Sequence, residues 1–318
     1  MPTIPQGVRG AVVTGWGTAL PPKVLTNHDL EGMFETDHDW IVERTGIHQR
    51  HVGGTTAGLS IESGAQALAM SGLDPSEIDV LILATTTPDR TVPATSATVQ
   101  HALGLRCGAF DVNAACSGFV YGLVAAHGMI AMGAKKVLCI GTDTLARITD
   151  WTDRNTAILF ADGSGAVVLE AVDGPGQLLG WDLDADGSAE MALYADVGGK
   201  VHMDGKEVFR RAVRIMVDSG TKSMNHAGVT ADDIALVVPH QANIRIIESA
   251  CNKLGIGMDR VSTVLHRTGN TSSASIPLAL VDALDNGRIK DGDLVLLVGF
   301  GAGMTAASAV LRWGGGAS

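Results

Sequence analysis

The chain has 318 residues, 46% hydrophobic and 18% charged, so it can bury a large core and its length suits about two domain-sized units. Its formal net charge of -11 argues against a nucleic-acid binder, whose binding surface is usually strongly basic. The four cysteines form no CxxC pair, which argues against a disulfide framework and against a metal site: Cys107, Cys116, Cys139 and Cys251.

The N-terminal sequence MPTIPQGVRGAVVTGWG has no charged segment followed by an apolar stretch, so no secretory signal peptide is predicted. No apolar run reaches the roughly 18 residues of a membrane span. Scattered cysteines without a disulfide pattern are typical of a reducing compartment. These features predict a cytoplasmic protein that does not bind membranes.

Two segments share one pattern of helix, glycine, acidic turn and buried strand: AQALAMSGLDPSEIDVLILATTT at 65–87 and TKSMNHAGVTADDIALVVPHQAN at 221–243. Further on, IAMGAKKVLCIGTD matches LDNGRIKDGDLVLLVGFG. Gly72 thus pairs with Gly228, and Gly133 pairs with Gly287, at nearly the same offset of about half the chain. A repeat of this length indicates two similar halves rather than a short-period solenoid.

Both halves alternate helices with near-continuous apolar strands such as DVLILAT and LVLLVGF. This pattern is typical of mixed or parallel sheets that helices cover on both faces. A Pro/Gly break at AVDGPGQ predicts a boundary that divides the chain into 1–172 and 173–318. DGSGAVVLEAV and GAGMTAASAVLRW are predicted as the closing strands of the two halves. The expected fold class is α/β, with two duplicated halves packed into one body.

In the first half, the segment at 110–133 changes at Cys116 from a buried strand to a long apolar helix. A cysteine at a helix start faces unpaired backbone N–H groups and the positive end of the helix dipole, which lower the thiol pKa, whereas burial raises it. Cys116 is therefore a candidate nucleophile, and the alternative is a small buried hydrophobe. The other three cysteines carry only the second interpretation.

In the second half, His240 follows a buried strand and precedes a helix, and Asn270 lies in a Gly-containing turn before another helix. Sites collect at strand ends in open α/β sheets. If the halves are related by rough two-fold symmetry, the strand ends at Cys116 and His240 face each other. The alternatives are a core imidazole for His240 and a helix-capping amide for Asn270.

A basic stripe is predicted on the helix that contains GKEVFRRAVRIM, because Lys206, Arg210 and Arg214 are spaced to share one face. Arg245 and Lys253 are possible extensions of it. A solvated face is one explanation, and a docking surface for an acidic partner is the other.

Several motifs in order, DWIVERTGI, DVNAACSGF, TDRNTAILFADGSGA, VPHQAN, GNTSSASIP and GFGAGM, closely resemble β-ketoacyl-acyl carrier protein synthase III of the thiolase superfamily. The resemblance covers nearly the whole chain. It implies a layered αβαβα body and a decarboxylative Claisen condensation. An acyl-CoA primer and malonyl-acyl carrier protein would give 3-oxoacyl-acyl carrier protein, CO2 and CoA, and so initiate fatty-acid synthesis.

The resemblance also implies roles for the residues named above. Cys116 would hold the acyl group as a thioester, and His240 Nε2–H and the Asn270 amide would donate to the enolate of the second substrate. The oxyanion hole for acyl transfer would use the backbone N–H groups of Cys116 and Ala302, where some relatives have glycine at the second position.

For the substrates, the resemblance implies that Trp40 and Arg154 sandwich the adenine of CoA and that Arg44 lies near the phosphates. Pantetheine would be lined by Gly205, Phe209 and Asn243. The basic stripe suits the acidic acyl carrier protein, and a homodimer is expected. No cofactor is expected beyond the thioester substrates, since GFGAGM and GWGTAL lack the full dinucleotide fingerprint.

Two departures from the family bear on the primer. Val92 occupies the position of a residue that, in the family, reaches across the dimer interface to close the acyl pocket, and some relatives have phenylalanine there. The segment at 190–204 is shorter than in many relatives. Valine at position 92 favours a wider pocket that admits branched or longer chains. The short segment favours either a more open cavity or a specialised natural-product pathway.

Three alternatives remain at this stage. A priming ketosynthase or acyltransferase of the same fold could serve a polyketide pathway. A thiolase or hydroxymethylglutaryl-CoA synthase shares the scaffold, but no second cysteine or glutamate motif matches. A cysteine-dependent hydrolase has the same Cys, His, Asn order, but its usual local signature is absent.

Overall fold

A computed structural model describes residues 8–314. Its strands are β1 (Gly10–Ala19), β2 (Val24–Thr26), β3 (Gln49–His51), β4 (Val80–Ala84), β5 (Gly108–Val112), β6 (Lys136–Thr144), β7 (Asp162–Val172), β8 (Leu178–Ala185), β9 (Leu193–Ala195), β10 (Val201–Met203), β11 (Ile234–Pro239), β12 (Leu294–Gly301) and β13 (Thr305–Arg312). Its α-helices are α1 (Asn27–Glu31), α2 (His38–Thr45), α3 (Thr56–Ser71), α4 (Thr95–Ala102), α5 (Gly118–Ala131), α6 (Arg154–Ala157), α7 (Gly205–Ala227), α8 (Ile244–Leu254), α9 (Leu265–Thr268) and α10 (Ser275–Asp285).

Two larger sheets organise the molecule. The first has the strand order β1-β7-β6-β4-β5, with β4 parallel to β5 and β6, and with β7 antiparallel to β6 and β1. The second has the order β11-β12-β13-β8, with one parallel pair, β11 and β12. Apart from β5, the order β1-β7-β6-β4 is repeated as β8-β13-β12-β11. The mixed sheets and both closing strands, β7 and β13, are thus confirmed.

The repeated glycines have the same backbone role in both copies. Gly72 ends α3 and Gly228 ends α7, each in the left-handed conformation with φ of +70° and +69°. Each glycine N–H donates to carbonyls of the last helical turn. A residue with a Cβ is strained at such a φ, so glycine is the natural helix terminator here.

The helices form layers around the sheets. α5 and α10 lie between the two sheets, α3 covers the outer face of the first sheet, and α7 covers the outer face of the second. Strand residues such as Leu81, Ile82, Leu297 and Val298 are fully buried, because helices cover both faces of each sheet. This is the layered αβαβα arrangement. No helix within residues 8–314 combines the length and apolar character needed to cross a membrane.

The strand ends set the position of the candidate site. Cys116 follows β5, His240 follows β11, and the turn Ala302–Met304 follows β12, all at carboxyl ends of strands with parallel neighbours. Asn270 joins them through an isolated bridge to Phe160, just before β7.

Candidate active site

One cleft of about 670 Å³ contains Cys116, His240 and Asn270. It is also lined by most of the residues predicted to bind substrate, and by two of the predicted docking residues: Trp40, Arg44, Gly205, Phe209, Asn243, Lys206 and Arg245. The two halves of the chain therefore contribute jointly to one site, as the sequence pattern suggested. Arg154, Ala302 and Val92 are not among the residues that line it.

Cys116 lies in a tight turn, Ala115–Ser117, between β5 and α5, and is 9% exposed. Ala115 has a φ of +47°, an uncommon conformation for a residue with a side chain. The Thr305 hydroxyl donates to the Ala114 carbonyl at 2.9 Å and ties this turn to β13. The sulfur is thus fixed by both halves.

Burial dominates the electrostatics of the thiol. It raises the pKa of Cys116 to about 12, and the charge of Asp143 acts in the same direction. The Ser272 hydroxyl acts in the opposite sense, although no hydrogen bond of regular geometry joins it to the sulfur. Burial is thus the largest effect on this thiol, and it favours the neutral form.

His240 is held in place on every side except toward the cleft. Its backbone N–H donates to Val298 at 2.8 Å, and Phe300 packs edge-on with ring centroids 5.3 Å apart. Nδ1 lies 2.6 Å from the Ser275 hydroxyl oxygen, which already accepts the Gln241 N–H at 3.2 Å. The Ser275 proton can therefore donate to Nδ1, which makes Nε2 the ring N–H.

The second ring nitrogen of His240, Nε2, can donate a hydrogen bond to a substrate. His240 Nε2 is buried and has no hydrogen-bond partner within the described residues. Burial lowers the pKa of His240 to about 3, so the imidazole is neutral at physiological pH. A buried N–H without a partner in a substrate-sized cleft suits an oxygen that arrives with the substrate.

Asn270 is anchored by its backbone and by one side-chain atom. Its N–H donates to Leu159 at 2.9 Å, and its carbonyl accepts the Ala161 N–H at 2.8 Å. Its Oδ1 accepts the Ser272 N–H at 3.0 Å. Because the oxygen is occupied, the NH₂ group is the part of the amide left for the cleft.

Backbone strain is concentrated around these residues. Within residues 8–314, the non-glycine residues with positive φ are Ala115, Ser272 and Met304, at +47°, +51° and +43°. They lie in the turns that carry Cys116, follow Asn270 and contain Ala302. Strained residues gather at functional sites, where the surroundings hold them. No signal in the sequence identified them.

The turn after β12 lies against the cysteine turn. A Cβ added to Gly301 would lie 2.7 Å from the Cys116 nitrogen, so only glycine allows this approach. Ala302, the predicted second oxyanion donor, is the next residue and is half-buried. An alanine is accommodated there because the left-handed residue is its neighbour, Gly303, with a φ of +70°.

The predicted adenine site is closed in this structure. The Arg154 guanidinium lies directly over the Trp40 ring, 4.6 Å from its centroid, and also donates to the Glu35 carbonyl at 3.0 Å. Arg44 lies 4.7 Å from the same ring. A base held between Trp40 and Arg154 needs twice the ordinary stacking distance, so Arg154 must move before the predicted sandwich can form.

Asn243 has a structural role that the sequence did not indicate. Its Nδ2 donates to the Arg44 carbonyl at 2.9 Å, and its Oδ1 accepts the Arg245 N–H at 2.9 Å, capping α8. It therefore ties α2 to α8 across the cleft. Gly205 and Phe209 lie in the first turns of α7, and the Arg245 guanidinium lies 6.0 Å from the Phe209 ring centroid.

The three residues of the basic stripe and its two possible extensions differ in their surroundings. Lys206 and Arg245 line the cleft, whereas Arg214 lines a separate cleft with Asp184 and Lys222. Arg210 forms an ion pair with Glu207 at 2.7 Å, and Lys253 is exposed in the last turn of α8. Sequence spacing placed three of them on one helical face but did not reveal the Glu207 pairing.

The two departures from the family also have places in the structure. Val92 is 79% exposed in a loop before α4 and does not reach the cleft of its own chain. The short segment forms a hairpin of β9 and β10, from which Leu193 and Met203 line the cleft. Within residues 8–314 no group of three or more His, Cys, Asp or Glu residues is arranged to hold a metal ion.

The fold and the buried cysteine at the start of a central helix define a thiolase-like enzyme. Two family models match the chain: 3-oxoacyl-[acyl-carrier-protein (ACP)] synthase III over residues 110–187, and 3-oxoacyl-[acyl-carrier-protein (ACP)] synthase III C terminal over residues 224–313. The chain belongs to the β-ketoacyl-[acyl-carrier-protein] synthase III family, whose members are acyltransferase-type condensing enzymes.

Individual relatives support this membership over nearly the full length. A β-ketoacyl-[acyl-carrier-protein] synthase III of Roseiflexus castenholzii is 49% identical over 326 residues, with 96% of this chain and 99% of that protein covered. The crystal structure of 3-oxoacyl-[acyl-carrier-protein] synthase III from Aquifex aeolicus has a TM-score of 0.94 at 42% identity, covering 96% and 100% of the two chains.

A third similar structure is the priming β-ketosynthase from the R1128 polyketide biosynthetic pathway. It has a TM-score of 0.91 at 33% identity, with 98% of both chains covered. The thiolase-like fold and the membership of this family show that the cysteine-dependent hydrolase alternative is wrong.

Proposed function

We propose that this chain catalyses the decarboxylative Claisen condensation of an acyl-CoA primer with malonyl-acyl carrier protein, as the first condensation of fatty-acid synthesis. The products are 3-oxoacyl-acyl carrier protein, CO2 and CoA. The observation that carries the proposal is the convergence of Cys116, His240 and Asn270 on one cleft. Relatives with the name of this activity support the reaction class.

The first step is acyl transfer to Cys116. The sulfur attacks the thioester carbonyl, its bond to the acyl carbon forms as the bond to the CoA sulfur breaks, and the thiol proton leaves with CoA. The carbonyl oxygen becomes negative in the tetrahedral intermediate. The backbone N–H groups of Cys116 and Ala302 serve as its donors, as the contact between their two turns allows.

The second step is decarboxylation and carbon–carbon bond formation. The bond between the malonyl carbon and its carboxylate breaks, CO2 leaves, and the electron pair forms an enolate on the thioester. His240 Nε2–H and the Asn270 NH₂ donate to the enolate oxygen, and neither group is needed as a proton acceptor. The carbanion attacks the acyl carbon, the bond from that carbon to the Cys116 sulfur breaks, and the released thiolate takes up one proton from water to return to the neutral thiol.

We assign the parts of the two substrates to residues in and beside the cleft. Trp40 and Arg154 hold the adenine of CoA once Arg154 moves, Arg44 approaches the phosphates, and pantetheine passes Gly205 and Phe209, with Asn243 fixing the wall. The acidic carrier protein docks on the five basic residues: Lys206, Arg210, Arg214, Arg245 and Lys253. No cofactor takes part.

The assembly is a cytoplasmic homodimer of chains with two duplicated parts, 1–172 and 173–318. The strand β5 is an edge strand with partly exposed residues, which suits pairing with a second copy. Val92, exposed in one chain, then contributes to the acyl pocket of the other.

Intact-mass analysis tests the covalent step. Incubation with a panel of acyl-CoA primers, straight and branched, is expected to add one acyl group to the wild type and none to Cys116→Ser. The preferred primer then follows from the panel. Absence of any adduct on the wild type with every primer refutes the acyl-enzyme.

The second candidate is a priming ketosynthase of a polyketide pathway. The similarity to the R1128 enzyme, the small Val92 and the short 190–204 segment favour it. A carrier protein of fatty-acid synthesis and one of a polyketide pathway, offered in competition as malonyl thioesters, distinguish the two. Preference for the polyketide carrier supports this alternative.

A further inference from the structure

Asp143 is a buried carboxylate that the reaction as described does not use. It is 0% exposed, lies near the carboxyl end of β6 and forms no ion pair with Lys or Arg within residues 8–314. Burying an unpaired charge is costly unless hydrogen bonds replace the water. A buried anion without a cation therefore needs an explanation.

Hydrogen bonds from two separate loops satisfy this carboxylate. Oδ1 accepts the Thr85 hydroxyl at 3.0 Å, the Thr86 N–H at 2.7 Å, and the Thr87 N–H and hydroxyl at 3.1 and 2.9 Å. Oδ2 accepts the Ser273 N–H at 3.0 Å and the Ser273 hydroxyl at 2.6 Å. Each oxygen thus holds one loop, and a carboxylate has about four acceptor sites, so none is left free.

The loop bound to Oδ2 leads directly to the site. Ser273 follows Ser272, whose φ of +51° is strained and whose N–H donates to Asn270 Oδ1. A strained residue persists only where its neighbours over-determine it. Asp143 holds the residue on one side of Ser272, and the bridge from Asn270 to Phe160 holds the other.

We infer that Asp143 is a positioning residue, which through Ser273 sets the orientation in which the Asn270 NH₂ meets the enolate. The inference rests on the proposed function of Asn270. In this arrangement the Thr85–Thr87 loop fixes the carboxylate through Oδ1. The carboxylate in turn fixes the turn at Ser273 through Oδ2.

The same carboxylate also acts on the nucleophile. The negative charge of Asp143 raises the pKa of the Cys116 thiol in addition to the effect of burial. Asp143→Asn removes that charge, so Cys116 should be alkylated faster at a fixed pH. Loosening of the site would also speed alkylation by reducing the burial of Cys116, so the increase is assigned to the charge only where the melting temperature is unchanged.

The matched test removes one donor from each side of the carboxylate. Ser273→Ala deletes the hydroxyl on the site side, 2.6 Å from Oδ2, and Thr85→Val deletes a hydroxyl on the support side, 3.0 Å from Oδ1. Acyl loading of Cys116 and the condensation kcat and KM are measured separately, with the melting temperature of each variant.

We expect Ser273→Ala to lower the condensation kcat about tenfold, the effect of losing one hydrogen bond of about 1.4 kcal/mol, with KM and loading nearly unchanged. Thr85→Val should change kcat less than about threefold at a similar loss of melting temperature. Asp143→Asn should lower kcat further and raise the alkylation rate of Cys116. If Asp143→Asn does not fold, the serine and threonine variants still decide the question.

Equal losses of kcat in Ser273→Ala and Thr85→Val, in proportion to their stability, overturn the inference. A wild type that neither loads nor condenses refutes the proposed function itself. A wild type that does both, while the two variants match each other, refutes only the role of Asp143.

Discussion

Burial favours the neutral form of the Cys116 thiol, because it raises the pKa to about 12. A helix start favours the thiolate only over a short range, whereas desolvation acts on the whole group. In the proposed acyl transfer, the thiol proton therefore leaves during attack on the thioester. Because oxidants react mainly with the thiolate, the raised pKa and the burial also limit oxidation of this sulfur.

The pH dependence of alkylation tests this protonation state. With a pKa of about 12, the iodoacetamide reactivity of Cys116 should rise about tenfold per pH unit between pH 7 and 10, with no plateau. Peptide-resolved mass spectrometry separates Cys116 from the half-buried Cys107. A plateau below pH 8 would mean that the helix end dominates after all.

The Asn270→Asp variant distinguishes the two steps of the proposed reaction, acyl transfer to Cys116 and condensation. The aspartate keeps the oxygen that accepts the Ser272 N–H but loses the NH₂ donor and adds a charge that repels the enolate. Loading of Cys116 should persist while condensation falls about 100-fold or more. Asn286→Asp, at the exposed end of α10, is the control, and condensation at the wild-type rate in Asn270→Asp would remove Asn270 from the enolate site.

The sequence pattern predicts those site residues that lie at the boundary between one secondary-structure element and the next. Cys116, His240 and Asn270 each stand where a strand or turn gives way to a helix, and such boundaries are visible in periodicity. Ser275 and Asp143 were missed, because their partners come from distant segments. Their serine and aspartate side chains give no local sign of burial.

At the scale of elements, α7 and α8 carry basic residues at one end of the cleft. Asp204 caps α7 by accepting hydrogen bonds from the N–H groups of Lys206 and Glu207. Lys206 lies in this first turn and lines the cleft. Glu207 then pairs with both Arg210 and Arg211, so the Arg210 guanidinium already has a partner that the spacing of the stripe does not show. Helical periodicity predicts a shared face but not the ion pairs upon it.

Lys206→Glu measures the contribution of this surface to carrier-protein binding. We expect the KM for the malonyl carrier to rise about tenfold at low salt and by less at high salt, since screening weakens surface charge interactions. Loading from acyl-CoA is measured alongside, because Lys206 lines the same cleft, and the KM for the carrier should change more than the KM for the primer. Arg312→Glu, an exposed charge at the end of β13, is the matched control, and an equal KM shift there would assign the effect to net charge alone.

At the scale of the whole molecule, the duplicated fold was the part most readily predicted. The glycines that end α3 and α7, and the uninterrupted apolar strands, recur at one offset and so reveal the repeat. The edge strand β5 and the loop containing Val92 break the symmetry. Their proposed role is in contacts with a second chain, and the periodicity of a single chain does not predict such contacts.

Asp162, at the start of β7, makes the stability of the whole fold depend on pH. Burial raises its pKa to about 6, although the N–H groups of Ala146 and Gly53 act against the shift. The folded state thus binds a proton more readily than the unfolded state, whose carboxyl titrates near 3.8. Its contribution to stability is present in full below 3.8 and is lost as pH rises through 6.

Denaturant unfolding of the wild type and Asp162→Asn at pH 7 and pH 5 measures this contribution. The unfolding free energy of the wild type, relative to that of the variant, should increase by about 1 kcal/mol on going to pH 5. The comparison cancels other titrating groups. A constant difference between the two proteins would show that Asp162 is not raised to this extent.

The three strained turns at Ala115, Ser272 and Met304 belong to segments far apart along the chain, and each is propped by another. The turn at Ala302–Met304 and the turn that follows Asn270 both contact the cysteine turn. A change in the packing of one of these turns should therefore alter the geometry of the others, and with it the proposed donor groups around the sulfur.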